Sequence, residues 1–136
     1  MPELQPTAGT EKFFSSLIEH HQGIIALLDE HLHVIFRSAF GEKTTGWSND
    51  EMPYAPNEYT DPEMVEQVRA VYTEAVANPE KTIPITTRMK HKNGETIWLE
   101  GTVINKLRDP DIRGIVVSMQ DVTPRKKAEE KLLRLN

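Results

Sequence analysis

The spacing of apolar residues along the chain changes several times, and each change marks an element. Phe13, Phe14, Leu17 and Ile18 share one helical face behind Thr10, a residue suited to capping, and Gly23 ends the pattern. The run from Ile24 to Asp29 is apolar but too short for a helix. His33-Val34-Ile35-Phe36-Arg37-Ser38 is a second run, rich in β-branched and aromatic residues, so the two predict a hairpin turning through residues 30–32. Between Ala39 and Tyr59 the chain is cut into short pieces by Gly41, Gly46, Pro53 and Pro56, and Ser48 with Glu51 has the form of a capping box. Thr60-Asp61-Pro62-Glu63 is a stronger helix start: a cap, a proline in the first turn, and carboxylates at the end the helix dipole favours. The helix it predicts carries Met64, Val65, Val68, Val71, Tyr72, Ala75 and Val76 on one stripe and stops at Asn78-Pro79.

From residue 82 the period becomes two. Ile83, Ile85 and Met89 alternate with Thr86, Arg88 and Lys90; Ile97, Leu99 and Val103 alternate with Trp98, Glu100 and Thr102. Asn93-Gly94 invites a two-residue turn, but that register would set the apolar face of the first strand beside Glu100 and Thr102. A loop with an odd number of residues, Gly94 supplying a left-handed conformation, sets Ile85 and Met89 beside Leu99 and Val103 and leaves Arg88 and Glu100 together on the other face. The odd loop is therefore predicted. Residues 108–111 make a turn, and a last strand runs from Ile112 to Val122 with Ile115, Val117 and Met119 on one side. Thr123-Pro124 then opens a helix in which Ala128, Leu132 and Leu135 follow the spacing of a coiled-coil seam.

Composition narrows the class. At 136 residues, with 38% apolar and 27% charged side chains, the chain is expected to hold one folded domain with its own core. Sixteen Lys and Arg against twenty-one Asp and Glu leave a net charge of −5, which argues against nonspecific nucleic-acid binding. The charge is uneven: residues 122–136 carry +3 and the rest −8, an acidic body with a basic tail. There is no cysteine, which removes disulfides, thiolate nucleophiles, Cys-ligated zinc and iron–sulfur clusters together. No leader-like segment and no long apolar run stand in the sequence, so a soluble domain of a reducing compartment without a membrane span is expected. The predicted division is a flexible segment 1–10, a folded domain 11–122, and the start of an amphipathic linker helix at 123–136 whose seam points to a continuation past Asn136.

Two strands, short helical pieces, a long helix, three antiparallel strands and an exit helix follow the order of the PAS domain, and the wording is similar too. Gly46-Trp47-Ser48-Asn49-Asp50-Glu51-Met52 resembles that family's Gly-Tyr-Ser-x-x-Glu-Leu signature. Lys92-Asn93-Gly94, with Trp98 after it, resembles its Lys-Asp-Gly-x-x-x-Trp hairpin, and Asp121-Val122-Thr123-Pro124-Arg125-Lys126 resembles its terminal Asp-Ile-Thr-x-Arg-Lys. The match spans residues 11–126; a departure is Leu32-His33, where relatives often carry Asp-Gly.

The resemblance implies an α+β PAS fold: a five-stranded antiparallel sheet with helices over one face, an N-terminal helix and a coiled-coil-type exit helix. It implies a cytoplasmic sensory module, a homodimer through its terminal helices, relaying a signal to an output domain of the same chain. A histidine kinase comes first among outputs, with a diguanylate cyclase or a small-molecule receptor role as alternatives. No catalytic residue is implied, and no nucleophile–base set or glycine-rich phosphate loop is visible.

The candidate pocket lining is Phe36, Val68, Tyr72, Met89, Leu99, Val117 and Met119, read either as a filled core or as the wall of a ligand site. By the resemblance, Asp121 and Thr123 relay the signal, Asp121 fixing the strand–helix junction; the plainer role for Thr123 is a helix cap. Phe13, Leu17, Ala128, Leu132 and Leu135 are the dimerisation candidates. Flavin-binding relatives carry amide side chains where this chain has Met89, Leu99 and Met119, and the thiol photochemistry of light sensors is excluded without cysteine. Haem-binding relatives present a histidine on the long helix, and residues 62–77 contain none. No cofactor is expected. His20, His21, His31, His33 and His91 lack the spacing of a helical metal site, although His31 and His33 share a strand face, and no metal is expected either.

Overall fold

The computed structural model describes residues 23–135. Its elements are β1 (Ile24–Leu28), β2 (Val34–Arg37), α1 (Ala39–Thr45), a single 3-10 turn (Asn49–Glu51), α2 (Val65–Ala77), β3 (Thr82–Lys90), β4 (Thr96–Lys106), β5 (Gly114–Asp121) and α3 (Thr123–Leu135). The five strands form one antiparallel sheet in the order β2-β1-β5-β4-β3, so the fold is α+β. The predicted N-terminal helix, with Phe13 and Leu17, lies outside the described residues.

Alternation explains the central strands. In β3 and β4 the odd-numbered side chains face inward, where Ile83 meets Val103, Thr87 meets Leu99 and Met89 meets Ile97. Lys90 pairs with Thr96 across the five-residue loop 91–95, and Gly94 sits at φ 92°, as the odd-loop register requires. Helix α2 lies across the inner face, burying Val68, Tyr72 and Ala75 against Ala26, Ile83, Ile85, Val103, Ile115 and Val117. A full side chain of this kind taken out of water contributes about 1.5–3 kcal/mol. Val76, expected on the buried stripe, is exposed instead.

The entry to α2 also differs from expectation. Thr60 does not cap the helix: it bridges to Met89, because the segment around it is bound to the edge of β3. The Asp61 N–H donates to the Arg88 carbonyl (2.8 Å), and the Lys90 N–H donates to the Tyr59 carbonyl (2.9 Å). Residues 59–61 thereby cover part of an otherwise open sheet edge. Helix α2 begins only at Val65, without a side-chain cap at Met64, and Asp61 instead closes the turn that leads into it, its Oδ1 accepting the Glu63 N–H at 2.9 Å.

Arg88 closes the same corner, Nε donating to Asp61 Oδ2 (2.6 Å) and Nη2 to Glu63 Oε2 (2.9 Å). The Arg88 hydrogen bond, with the Glu63 N–H, holds the Asp61 carboxyl below the usual carboxylate range. The stability this lends is complete above the unfolded value of about 4 and is lost as pH falls through the lower folded value. Asp61→Asn is expected to lower Tm at neutral pH and to flatten the acid limb of a Tm–pH curve. An acid limb with unchanged steepness would refute that assignment.

Candidate functional site

A cavity of about 80 Å³ lies between the inner face of the sheet, α2 and the loop carrying residues 54–57. Val68, Tyr72, Met89, Leu99, Val117 and Met119 all line it. Phe36 does not. It is 43% exposed and lies opposite Leu27, away from the cavity. The cause is a register shift between Leu27 and Leu28: Val34 faces Leu28 on the inner side, but one extra residue is then accommodated before Phe36. Such a bulge exchanges the two faces of a strand, so the side chain that turns inward is Arg37, opposite Ala26.

Arg37 is 7% exposed. Its Nη2 donates to Thr45 Oγ1 (3.1 Å) and to the Trp47 carbonyl (2.7 Å), and its Nη1 reaches the Met52 sulfur (3.0 Å). Its Nε has no hydrogen-bond partner among the described residues. Burial pushes the Arg37 pKa down, opposed by the field of Glu42, yet a guanidinium keeps its charge throughout the physiological range. Helix α1 makes room by placing Gly41 against the side chain, since a Cβ there would fall 2.2 Å from Nε. Thr45, Thr60 and Thr87 add hydroxyls to the cavity wall. Burial also pushes the Tyr72 phenol up, and its hydroxyl makes no hydrogen bond among the described residues. Sequence reasoning missed Arg37 and the threonines. The available signal was a charged residue inside a β-branched run with a glycine one helical turn beyond it.

The second candidate region is the passage from β5 into α3. The Val122 N–H donates to the Trp98 carbonyl at 2.9 Å, extending the β4–β5 ladder by one rung. The next rung is made by a side chain: the Trp98 N–H donates to Thr123 Oγ1 at 2.9 Å. The Thr123 hydroxyl is thus turned to the sheet rather than capping α3, and the capping contact falls to Asp121, whose Oδ1 accepts the Thr123 N–H at 2.8 Å. The Trp98 ring has Arg88 at 5.0 Å and Lys126 at 5.1 Å from its centroid, so cations from β3 and α3 meet on one indole. Arg125 adds a 2.9 Å ion pair to Glu100 of β4. Beyond this first turn α3 leaves the domain: Ala128, Leu132 and Leu135 are exposed, as is Leu133.

His31 and His33 serve the β1–β2 turn. Asp29 Oδ1 accepts both backbone N–H groups, at 2.8 and 2.9 Å, and His33 Nδ1 lies 3.0 Å from Asp29 Oδ2. Desolvation raises the Asp29 pKa, but these hydrogen bonds outweigh it and hold the carboxyl below its ordinary range. Among the described residues no three His, Cys, Asp or Glu side chains are grouped so as to hold a metal ion.

No family model matches the chain, and no curated protein does. Solved structures do. A PAS domain from Colwellia psychrerythraea is 21% identical, with a TM-score of 0.67 over 84% of this chain and 98% of that one. A sensory box histidine kinase/response regulator from Burkholderia thailandensis E264 is 20% identical, with a TM-score of 0.63 over 88% of this chain and 91% of that one. The N-terminal domain of a diguanylate cyclase with PAS/PAC sensor from Marinobacter aquaeolei is 15% identical, with a TM-score of 0.64 over 76% of this chain and 98% of that one. At these identities it is the path of the backbone that is shared, and the chain has the fold of a PAS domain.

Proposed function

We propose that the chain is a cytoplasmic sensory module that dimerises through its terminal helices and relays a conformational signal through α3 to an output domain of the same polypeptide. The β5–α3 junction carries the proposal. The first turn of α3 is held to β4 through Trp98 and Glu100 and to the end of β5 through Asp121, so a shift of the sheet is passed to the helix and not absorbed in a flexible linker. Asp121 and Thr123 are the relay residues. A histidine kinase is the first output to expect and a diguanylate cyclase the alternative, because proteins of both kinds supply similar folds. The role is regulatory and not catalytic. No helix among the described residues is long and apolar enough to cross a membrane.

The exposed seam of α3 supports the dimer. Leu132 and Leu135 are 62% and 75% exposed and share a seam with Ala128, which a second copy of the helix would cover. Phe13 and Leu17 are assigned to the same interface from the N-terminal segment. Sedimentation equilibrium is expected to show a monomer–dimer equilibrium that Leu132→Asp with Leu135→Asp moves wholly to monomer without lowering Tm of the monomeric domain. A strict monomer at every soluble concentration of the unmodified chain overturns the dimer.

A second reading, a small-molecule receptor, is favoured by the cavity. Its 80 Å³ is well below the roughly 300–1,000 Å³ of sites for drug-sized ligands, which supports a small ligand in place of flavin or haem.

A further inference from the structure

We propose that the cavity binds a small organic anion, a short-chain carboxylate whose charge is met by Arg37. The inference rests on the receptor reading of the cavity and names the ligand class. A guanidinium has five N–H donors. Three acceptors are in place for Arg37, the Thr45 hydroxyl, the Trp47 carbonyl and the Met52 sulfur, which leaves the Nε donor and one on Nη1. No carboxylate of the described residues comes within 4.0 Å of it. A buried cation without a counter-ion is costly to keep, and an apolar side chain of similar length would fill the same volume without that cost.

The surroundings hold the charge in place, and the field of Glu42, which makes no ion pair with Arg37, offsets the burial cost without outweighing it. Thr45 is already committed, donating to the Gly41 carbonyl (2.8 Å) and accepting the Trp47 N–H (3.2 Å), so it orients Arg37 and has no hydrogen to offer a ligand. Gly41 is the residue that lets the side chain lie where it does. The wall also carries the unpartnered Tyr72 hydroxyl, while Ala26, Ile85, Val68 and Val117 make much of the remainder apolar. A cationic group among aliphatic side chains suits a carboxylate head on a short alkyl tail. Size agrees: a cavity of about 150 Å³ admits benzene, so one of 80 Å³ takes roughly three to five non-hydrogen atoms. Tyr54, 52% exposed, stands in the lining where the cavity meets solvent.

The test compares sodium propionate, the neutral isostere propionamide, and sodium chloride at matched ionic strength, by thermal unfolding and titration calorimetry on the chain. Propionate is expected to raise Tm saturably, propionamide and chloride not. Arg37→Met removes an uncompensated charge, so its Tm without ligand is expected not to fall, while propionate affinity drops about tenfold or more. Gly41→Ala keeps the charge but displaces the guanidinium, and should weaken propionate without abolishing folding. If Arg37→Met does not fold, the three-solute comparison on the unmodified protein, read with the Arg37 side-chain ¹⁵N resonance, still decides. Equal stabilisation by propionamide overturns the anion assignment and leaves the receptor reading standing. Equal stabilisation by chloride marks an adventitious ion only and overturns it. No stabilisation by any of the three overturns both.

Discussion

Gly101→Ala is expected to destabilise the domain by about 3–5 kcal/mol, the upper end of what single substitutions cost. A Cβ on Gly101 would stand 1.8 Å from the Ser118 carbonyl oxygen and 2.8 Å from the Met119 Cα. Both are backbone atoms of β5, so no rotamer change relieves the overlap. Relief requires β4 and β5 to part in the middle of the sheet, beside Met119 of the cavity wall. Against a net stability of about 5–15 kcal/mol that is a large fraction. The urea midpoint should fall by on the order of 2 M at a slope of about 2 kcal/mol/M. Gly94→Ala is the internal control: its φ of 92° disfavours a side chain, but nothing lies within 4 Å of the added carbon. The conformational cost alone is about 1–2 kcal/mol. Equal losses at the two positions would show that close strand approach is not what Gly101 provides.

The two glycines also show which parts of the fold could be read from sequence. Gly94 announced itself, because the alternation of Ile83, Ile85 and Met89 against Ile97, Leu99 and Val103 is satisfied only by an odd loop, and an odd loop needs a left-handed residue. Gly101 gave no such sign: its requirement is imposed by a strand closing in from Gly114 to Asp121, and local pattern is silent about distant neighbours. The same division runs through the candidate site. Val68, Tyr72, Met89, Leu99, Val117 and Met119 reached the cavity because period and burial fix their faces. Phe36 failed because the bulge at Leu27/Leu28 changes phase in mid-hairpin, and β-branched texture is the same on both faces. Arg37 was hidden by that error. Thr60 and Thr123 have cap-like sequence contexts, yet tertiary partners, Met89 and the Trp98 N–H, claim them instead.

Thr123→Val should cost about 1–3 kcal/mol even though it changes almost no volume, because it leaves the Trp98 N–H without its acceptor. Asp121→Ala should cost less: the Thr123 N–H it releases stands at a helix start, where losing a cap is worth roughly 1 kcal/mol. That order separates the structure from a simple capping role, in which the Thr123 hydroxyl would accept no hydrogen bond from the sheet and its loss would fray α3 alone. Hydrogen exchange distinguishes them. Thr123→Val is expected to speed exchange at Trp98 on β4 as well as in the first turn of α3, and Thr123→Ser, which keeps the hydroxyl, to restore both. Unchanged protection at Trp98 in the valine variant would remove the hydroxyl from the β4–α3 connection. The consequence for signalling follows from how little else holds the helix. From Lys127 to Leu135 every residue of α3 is exposed, so its direction is set by the Thr123 hydroxyl, the Lys126 contact with Trp98 and the Arg125–Glu100 pair. The two cation contacts are partly open to solvent and each is worth about 1 kcal/mol or less, which leaves the buried threonine as the bond that ties sheet movement to helix movement.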